Sequence, residues 1–227
     1  MGRAYRLKAY EIPEAGRTAR GTAIVNLLEL DKDEVITAVF PIKEFEDNTY
    51  LTMVTKKGII KKTPIKDFRN VRKGGLIALS LADEDELVAV QETSPYDSIL
   101  VATKNGQGIM FEATDVRPMG RTARGVRAIN LSEDDQVIGA TVPREGEQIL
   151  TTTEKGLGKR TQIEAFRAQK RGGKGLKINK ITERTGNIMG VASVSDEDEL
   201  LLMTSEGVII RIKVSQISSI GRNAQGV

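Results

Sequence analysis

The sequence contains neither cysteine nor histidine, and each absence removes a class of chemistry. Without cysteine there is no disulfide framework, thiolate metal site or cysteine nucleophile. Without histidine, most zinc sites and any serine–histidine–aspartate relay are excluded. Aromatic residues make up only 4% of the chain, and no apolar run approaches the ~18 residues of a membrane span. We therefore expect a soluble, intracellular domain with no catalytic residues and no metal site of its own.

Two series of glycines divide the 227 residues into repeats. The first series, with spacings of 48, 50 and 51 residues, follows a short polar turn and comprises Gly58, Gly106, Gly156 and Gly207. The second series, with spacings of 54, 50, 50 and 51 residues, closes a basic loop and comprises Gly21, Gly75, Gly125, Gly175 and Gly226. Because two independent markers share one period, they indicate a tandem repeat.

Each repeat is predicted to consist of β-strands. An apolar run precedes each glycine of the first series, and Asn105-Gly106 is a strong hairpin signal. In residues 208–214, apolar and basic side chains alternate with the period of two that is typical of a half-buried strand. Four strands in about fifty residues is the size of a propeller blade. We therefore predict an all-β, propeller-like ring of four-stranded blades, with incomplete blades at both ends.

We expect residues 1–227 to form a single domain. Its repeats are predicted to span residues 1–55, 56–103, 104–153, 154–204 and 205–227, of which the first and the last are partial. Because both terminal units lack strands, we expect the chain to be a segment of a longer repeat array.

The charges follow the same period. In the unit 56–100, the first part, up to residue 80, carries eight lysines and arginines against one acid, whereas the second part carries six acids and no cation. Equivalent positions in a ring of blades lie at equivalent radii, so the cations of successive repeats would form one continuous basic band. The modest net charge of +3 can therefore hide a strongly positive surface.

The basic loops are the predicted contacts of this band, because glycines let a backbone approach a phosphate closely and the cations neutralise it. The most basic loop, 169–175, has three cations and three glycines in seven residues. The predicted binding residues are Gln169, Lys170, Arg171, Gly172, Gly173, Lys174, Gly175, Arg167, Arg121, Arg124, Arg127, Arg69, Arg72, Lys73, Arg17, Arg20 and Arg222.

A curved basic band without a pocket suits a long polyanion. The scarcity of aromatic residues argues against a stacking platform for single strands, and no recognition helix is visible for reading bases in a major groove. The pattern therefore predicts duplex DNA wrapped around the rim without sequence specificity, held by its phosphates. Two alternatives stay open: a protein-docking propeller with no nucleic-acid role, and an enzyme that uses the propeller as a scaffold.

Several segments together resemble the C-terminal domain of the A-type subunit of bacterial DNA gyrase over the full length of the chain. These segments are residues 2–8, 10–14, 17–21, 24–28, 119–126, 156–161 and 220–227. The family's signature heptapeptide, Gln-Arg-Arg-Gly-Gly-Lys-Gly, is matched by residues 169–175 at six positions, with Lys170 in place of the first arginine. In the family this signature lies in the first blade, whereas here it occupies the fourth of five basic loops. The corresponding domain of topoisomerase IV is a weaker alternative.

The resemblance implies a β-pinwheel, which is a propeller-like ring whose blades exchange strands, and DNA wrapping that serves negative supercoiling. It also implies that the chain is no enzyme itself but part of an ATP-dependent type IIA topoisomerase, whose active-site tyrosine lies outside this chain. The implied partners are duplex DNA, the N-terminal region of the gyrase A-type subunit, and the gyrase B-type subunit, in an A2B2 heterotetramer. The holoenzyme would use ATP and Mg²⁺, this domain would need no cofactor, and the location would be the bacterial cytoplasm, on the chromosome.

Overall fold

A computed structural model describes residues 2–16 and 18–227, and within them all regular structure is strand or short 3-10 helix. The strands are β1 (Gly2–Ala4), β2 (Tyr50–Thr55), β3 (Ile59–Pro64), β4 (Leu76–Leu79), β5 (Leu87–Thr93), β6 (Ser98–Thr103), β7 (Gln107–Glu112), β8 (Val126–Arg127), β9 (Val137–Thr141), β10 (Gln148–Thr153), β11 (Gly158–Gln162), β12 (Leu176–Lys177), β13 (Ile188–Val194), β14 (Glu199–Met203) and β15 (Ile209–Lys213). The 3-10 helices span Ala9–Glu11, Ile24–Asn26, Ile65–Phe68, Ala113–Asp115, Ile163–Ala165 and Val214–Gln216. Among the described residues, no helix has the length and hydropathy needed to cross a membrane.

The strands form small antiparallel sheets, and each of the larger sheets takes one strand from the following repeat. One sheet has the strand order β5-β2-β3-β8 and the next has the order β9-β6-β7-β12. In each, the first three strands come from one repeat, although β4 or β8 lies between them in sequence and pairs with the preceding sheet. The fourth strands, β8 and β12, come from beyond the next basic loop. The all-β, propeller-like architecture predicted from the sequence is confirmed, and so is the exchange of strands between blades.

The sheets at the two ends have two strands each. β1 pairs only with β4, and β14 pairs only with β15 within the described residues. In the β14–β15 hairpin, Leu201 and Met203 are 71% and 68% exposed. The predicted boundaries of the five repeats stay a prediction.

One edge of each sheet faces the other sheets, and the opposite edge faces outwards. β5 lies against β9, and β9 lies against β13, an edge strand of the three-stranded sheet β13-β10-β11, so β5, β9 and β13 form the inner edges. A cavity among them is lined mainly by small apolar residues, including Val88, Ala89, Gly139 and Val191. The exchanged strands β8 and β12 therefore lie at the outer edges of their sheets.

The hydrophobic core forms between consecutive sheets. One cluster joins Ile99, Ile109 and Phe111 of one sheet to Val54 and Ile60 of the sheet before it. Each sheet therefore packs its buried face on a neighbour, which is the arrangement by which repeats too small to have separate cores become stable.

The hairpin turns place the acidic segments at one end of the sheets. The first-series glycines all have positive φ, between 78° and 86°, which confirms the predicted hairpin turns. The following acidic turns pack on these hairpins, because Asp85 accepts the backbone N–H of Lys57 over 2.9 Å and Asp135 accepts that of Asn105 over 3.0 Å. The basic loops leave from the opposite end of β3, β7 and β11.

Candidate nucleic-acid interface

Three of the basic loops form arches over the outer part of the preceding sheet. In the arch 169–175, the backbone N–H of Gln169 donates to the carbonyl of Met110 over 2.8 Å. At the other end of this arch, β12 pairs with Gln107 and Gly108 of β7. The loop is thus fixed at both ends to one strand of the preceding repeat, and its middle rises above that strand.

The arches 119–125 and 220–226 are attached in the same way. The backbone N–H groups of Met119 and Ile220 donate to the carbonyls of Lys62 and Arg160 over 2.8 and 2.9 Å. At the other end, β8 pairs with β3, and Val227 exchanges two backbone hydrogen bonds with Gly158 of β11. The arches therefore recur once per repeat at the outer edge of successive sheets.

The second-series glycines are required where each arch rejoins the sheet. Gly125 and Gly175 have φ values of 102° and 75°. A methyl group on Gly175 would lie 2.5 Å from the carbonyl oxygen of Gly108, and one on Gly125 would lie 2.5 Å from that of Ile60. The close backbone approach that the sequence predicts for these glycines is thus made to the neighbouring sheet.

Arg171 joins the arch 169–175 to the protein. Its Nε donates to the carbonyl of Asp115 over 2.9 Å, and one terminal nitrogen donates to the carbonyl of Arg127 over 3.1 Å. The backbone of Gly172 donates to Ala128 over 2.6 Å, and that of Gly173 accepts from Asn130 over 2.8 Å. These three members of the predicted set are half-buried and use hydrogen-bonding groups within the fold.

Other cations of the same loop face solvent. The side chain of Lys170 is 92% exposed, although its Nζ lies 3.3 Å from a carboxylate oxygen of Asp115. Arg167 and Lys174 are exposed as well. Gln169 is half-buried, and its side-chain nitrogen is buried without a hydrogen-bond partner in the described part of the chain.

The cations predicted in the other loops also divide into exposed and half-buried groups. Arg121 and Arg222 are half-buried, and Arg222 donates to the carbonyl of Lys177 over 2.7 Å, as Arg171 does to Arg127. The exposed residues of the predicted set outside 167–175 are Arg20, Arg69, Arg72, Lys73, Arg124 and Arg127. Arg17 lies outside the described residues.

Four cations of the outer hairpin strands are buried, which the sequence reasoning missed when it counted them in the basic band. They are Lys61, Lys62, Lys159 and Arg160. Burial lowers the pKa of Lys62. Burial also lowers the pKa of Lys61 and that of Lys159 to about 8, and a nearby arginine makes a smaller contribution in each case. The sequence does contain a signal of this burial, because the equivalent positions in the intervening repeat are the apolar residues Ile109 and Met110.

The arrangement can neutralise a polyanion. Exposed lysines and arginines recur at the outer edges of successive sheets, while the acidic turns lie at the hairpin ends. Within residues 2–16 and 18–227, no group of three or more acidic side chains is placed to hold a metal ion. Repeated sheets, exchanged strands and basic arches together define a propeller-like repeat domain of the strand-exchanging class.

Comparison with known sequences assigns this class to a family. The family model described as "DNA gyrase C-terminal domain, beta-propeller" matches residues 2–43, 49–94, 97–144, 147–195 and 198–227. The chain therefore belongs to the DNA gyrase C-terminal domain family, and the resemblance drawn from its sequence is confirmed.

Individual relatives agree with this assignment. The chain is 57% identical over 226 residues to the A-type subunit of DNA gyrase from Clostridium acetobutylicum, covering all of this chain and 27% of that protein. A solved DNA gyrase A C-terminal domain superposes with a TM-score of 0.87 at 27% identity, covering all of this chain and 74% of the other. The C-terminal domain of a DNA topoisomerase IV gives the same TM-score at 29% identity, covering 96% of this chain and 68% of the other. The chain thus spans about a quarter of the curated relative.

Proposed function

We propose that this chain binds duplex DNA without sequence specificity and wraps it along the outer edges of its sheets. Membership of the gyrase C-terminal domain family supports a DNA-binding role. The observation that carries the finer proposal is the recurrence of exposed cations on arches that occupy equivalent places in successive repeats. A line of such arches follows the curvature of the repeat array, so a duplex in contact with several of them is bent.

The energetics favour this mode of binding. Bending a 20–30 bp duplex smoothly by 40–90° costs about 1–6 kcal/mol. Each phosphate that a lysine or arginine neutralises releases condensed counterions, and that release is favourable at low salt. The exposed cations in and beside two of the arches, Lys170 with Lys174 and Arg124 with Arg127, offset the cost of bending. Base contacts are not needed for this balance, so binding depends little on sequence.

We further propose that the wrapped DNA serves negative supercoiling by a DNA gyrase. In this proposal the chain supplies no catalytic residue and works with the gyrase B-type subunit, and with the N-terminal region of the A-type subunit, in an A2B2 assembly that uses ATP and Mg²⁺ in the bacterial cytoplasm. Fold likeness does not separate gyrase from topoisomerase IV, because both solved domains give a TM-score of 0.87. The 57% identity to the A-type subunit of a gyrase favours gyrase.

The electrostatic part of the proposal predicts a steep salt dependence. The logarithm of the binding constant falls with that of salt concentration by about 0.9 per neutralised phosphate. We expect Lys174→Met to lower the slope measured by fluorescence anisotropy on a 40-base-pair duplex by about 1. The control is Lys32→Met, which removes a lysine that is also exposed but lies between Asp31 and Asp33, and it should leave the slope unchanged. Equal slopes for the chain and for Lys174→Met would remove Lys174 from the interface.

Wrapping requires a separate measurement, because a straight duplex also binds a basic surface. A nicked DNA circle is ligated with the chain bound, and the linking number of the deproteinised product is determined on a gel. A shift from the protein-free distribution that grows with protein concentration supports wrapping, and its sign gives the handedness. Binding without a shift contradicts wrapping, and the absence of any DNA complex at low salt favours a protein-docking role.

A further inference from the structure

The side chain beneath each arch differs from repeat to repeat. Counting from the first-series glycines, Lys61, Ile109 and Lys159 occupy the same place in β3, β7 and β11. All three are wholly buried, with 0% exposure. They lie under the arches 119–125, 169–175 and 220–226 respectively. Two arches therefore cover an ammonium group, and the arch between them covers a hydrocarbon side chain.

Each buried ammonium group donates to the main chain of the arch above it. The Nζ of Lys61 donates to the carbonyl oxygens of Ala78 and Arg121. The Nζ of Lys159 donates to the carbonyl oxygen of Gly221 over 2.9 Å and to that of Arg222. Since Arg121 and Arg222 open their loops at equivalent places, both lysines hold the same point of the arch.

The arch 169–175 has another means of attachment. Ile109 provides only apolar contact, and a methyl group on Gly173 would lie 3.7 Å from its terminal carbon. This arch is held by Arg171, which donates to the carbonyls of Asp115 and Arg127. Arg121, which is equivalent to Arg171, makes no hydrogen bond through its guanidinium group within the described ranges. The arch 119–125 is thus held by the lysine beneath it and the arch 169–175 by its own arginine, whereas the arch 220–226 has both, because Arg222 also donates to the carbonyl of Lys177.

A buried lysine is a costly way to fill this position. An ammonium group taken out of water loses hydration free energy, and hydrogen bonds to carbonyls recover only part of that loss. The apolar Ile109 shows that the sheet packs without a charge at this place. Packing therefore does not explain Lys61 and Lys159, whereas the fixed position of Arg121 and Arg222 does.

We propose that Lys61 and Lys159 are positioning residues for DNA binding, each holding rigid the arch that presents arginines of the next repeat. This inference rests on the proposed function. Neither lysine touches DNA, because both are wholly buried. Lys61 acts through Arg121 and Arg124, and Lys159 acts through Arg222. The arch 169–175 does not depend on either lysine.

The first test measures the arch without DNA. The amide of Ala123 donates to the carbonyl of Gly120 over 3.1 Å within the arch, so its hydrogen exchange reports local opening. In Lys61→Met we expect exchange in 119–125 to accelerate at least tenfold, with 169–175 unchanged, and Lys32→Met to leave both loops unchanged. Unchanged protection of 119–125 in a folded Lys61→Met overturns the inference. If that variant does not fold, Lys61→Ile, which copies the residue found at 109, replaces it.

The second test separates positioning from the charge of the lysine itself. A double-mutant cycle measures affinity for a 40-base-pair duplex in Lys61→Met, in Arg121→Met with Arg124→Met, and in the triple variant. We expect Lys61→Met to weaken binding about threefold to tenfold, and to have no effect once both arginines are gone. The same cycle with Lys32→Met should be additive.

Additivity in the Lys61 cycle overturns the inference, because a charge acting directly on DNA does not need the arch. If the unmodified chain binds no DNA, the proposed function fails, and with it the DNA-binding role of Lys61. The exchange measurement would still decide whether Lys61 holds the arch, so the two failures are distinguishable.

Discussion

The arches 119–125 and 169–175 are attached to the preceding sheet in the same way at their ends, but different side chains hold them in the middle. Both are tied at their ends to the preceding sheet by equivalent backbone hydrogen bonds. In the middle, 169–175 uses Arg171 of its own sequence, whereas 119–125 is held by Lys61 from below. The comparison teaches that arginines at equivalent places of a repeat can differ in their hydrogen-bond partners.

The consequence for the candidate interface is direct. Arg171 uses part of its hydrogen-bonding capacity on the carbonyls of Asp115 and Arg127, while the guanidinium group of Arg121 makes no hydrogen bond to the described residues. We therefore expect a phosphate to gain more from Arg121 than from Arg171. In 169–175 the exposed cations are Lys170 and Lys174, of which Lys174 occupies the position that Arg124 has in 119–125.

The largest effect is expected from changes that break both arches alike. Gly125→Ala and Gly175→Ala each place a methyl group 2.5 Å from a carbonyl oxygen at positive φ. A strained backbone of this kind costs about 1–3 kcal/mol, and the steric overlap adds to that cost. We expect the free energy of unfolding, measured in urea, to fall by at least this amount in both variants.

The matched control is Gly120→Ala, in the same arch, where a methyl group would meet nothing within 4 Å and φ is not positive. It should change the free energy of unfolding by less than about 0.5 kcal/mol, as surface substitutions usually do. If Gly175→Ala were as mild as Gly120→Ala, the close approach of the arch to β7 would be refuted.

An intermediate effect should distinguish the two arches. Arg171→Met removes two hydrogen bonds from a charged donor, while Arg121→Met removes none within the described part of the chain. Because the guanidinium group of Arg171 is only half-buried, we expect a loss of about 1–2 kcal/mol in the free energy of unfolding. Arg121→Met should lose less than about 0.5 kcal/mol but weaken DNA binding more. The reverse order of stabilities would contradict the assignment of Arg171 to the fold.

The smallest effect, expressed per pH unit, is a dependence of stability on pH at the arches that cover a lysine. Burial, and then Arg121, lower the pKa of Lys61 to about 8, against the weaker opposite influence of Asp67. From about pH 8 to 10, the unfolded chain keeps a proton that the folded chain has lost, so stability rises with pH. The free energy of unfolding should therefore rise in the unmodified chain relative to Lys61→Met, by at most about 1.4 kcal/mol per pH unit.

Lys159 behaves in the same way, since burial and then Arg222 lower its pKa to about 8, and Lys159→Met should show a similar difference. Ile109→Met is the control, because it changes the equivalent position without a titrating group and should give a difference that is flat with pH. A flat difference for both lysine variants would show that their pKa values are not lowered in the folded protein.

Much of the fold could be predicted because its signals are local and repeated. A turn that needs positive φ favours glycine, so the same glycine is found at the same place in each repeat. The first-series glycines, from Gly58 to Gly207, correctly predicted the hairpin turns. The alternation in 208–214 marked β15. The exchange of strands could be predicted only from the family resemblance. A strand of two residues, such as Val126 and Arg127, is too short to show the alternation of apolar and polar residues that identifies a strand.

The candidate site could be predicted less well, because exposure is set by tertiary contacts. Lysine has a long apolar stem, so the same residue can lie in solvent, as Lys174 does, or reach two carbonyl groups in the interior, as Lys61 does. The glycines of the arches suggested a backbone open to a phosphate, but Gly175 faces the main chain of Gly108. Whether the seventeen predicted residues bind DNA stays a prediction.

The exchange of strands also has a consequence for how the chain folds while it is being synthesised. β3 receives its outer neighbour only when Val126 and Arg127 have been made, well after β5 has ended at Thr93. Until then the nascent sheet has an unpaired edge, which is prone to join another chain. Each newly synthesised repeat supplies the outer strand of the sheet before it, so we expect the sheets to be completed in order from the N-terminus towards the C-terminus. A translational pause within an arch would then prolong the exposure of the unpaired edge.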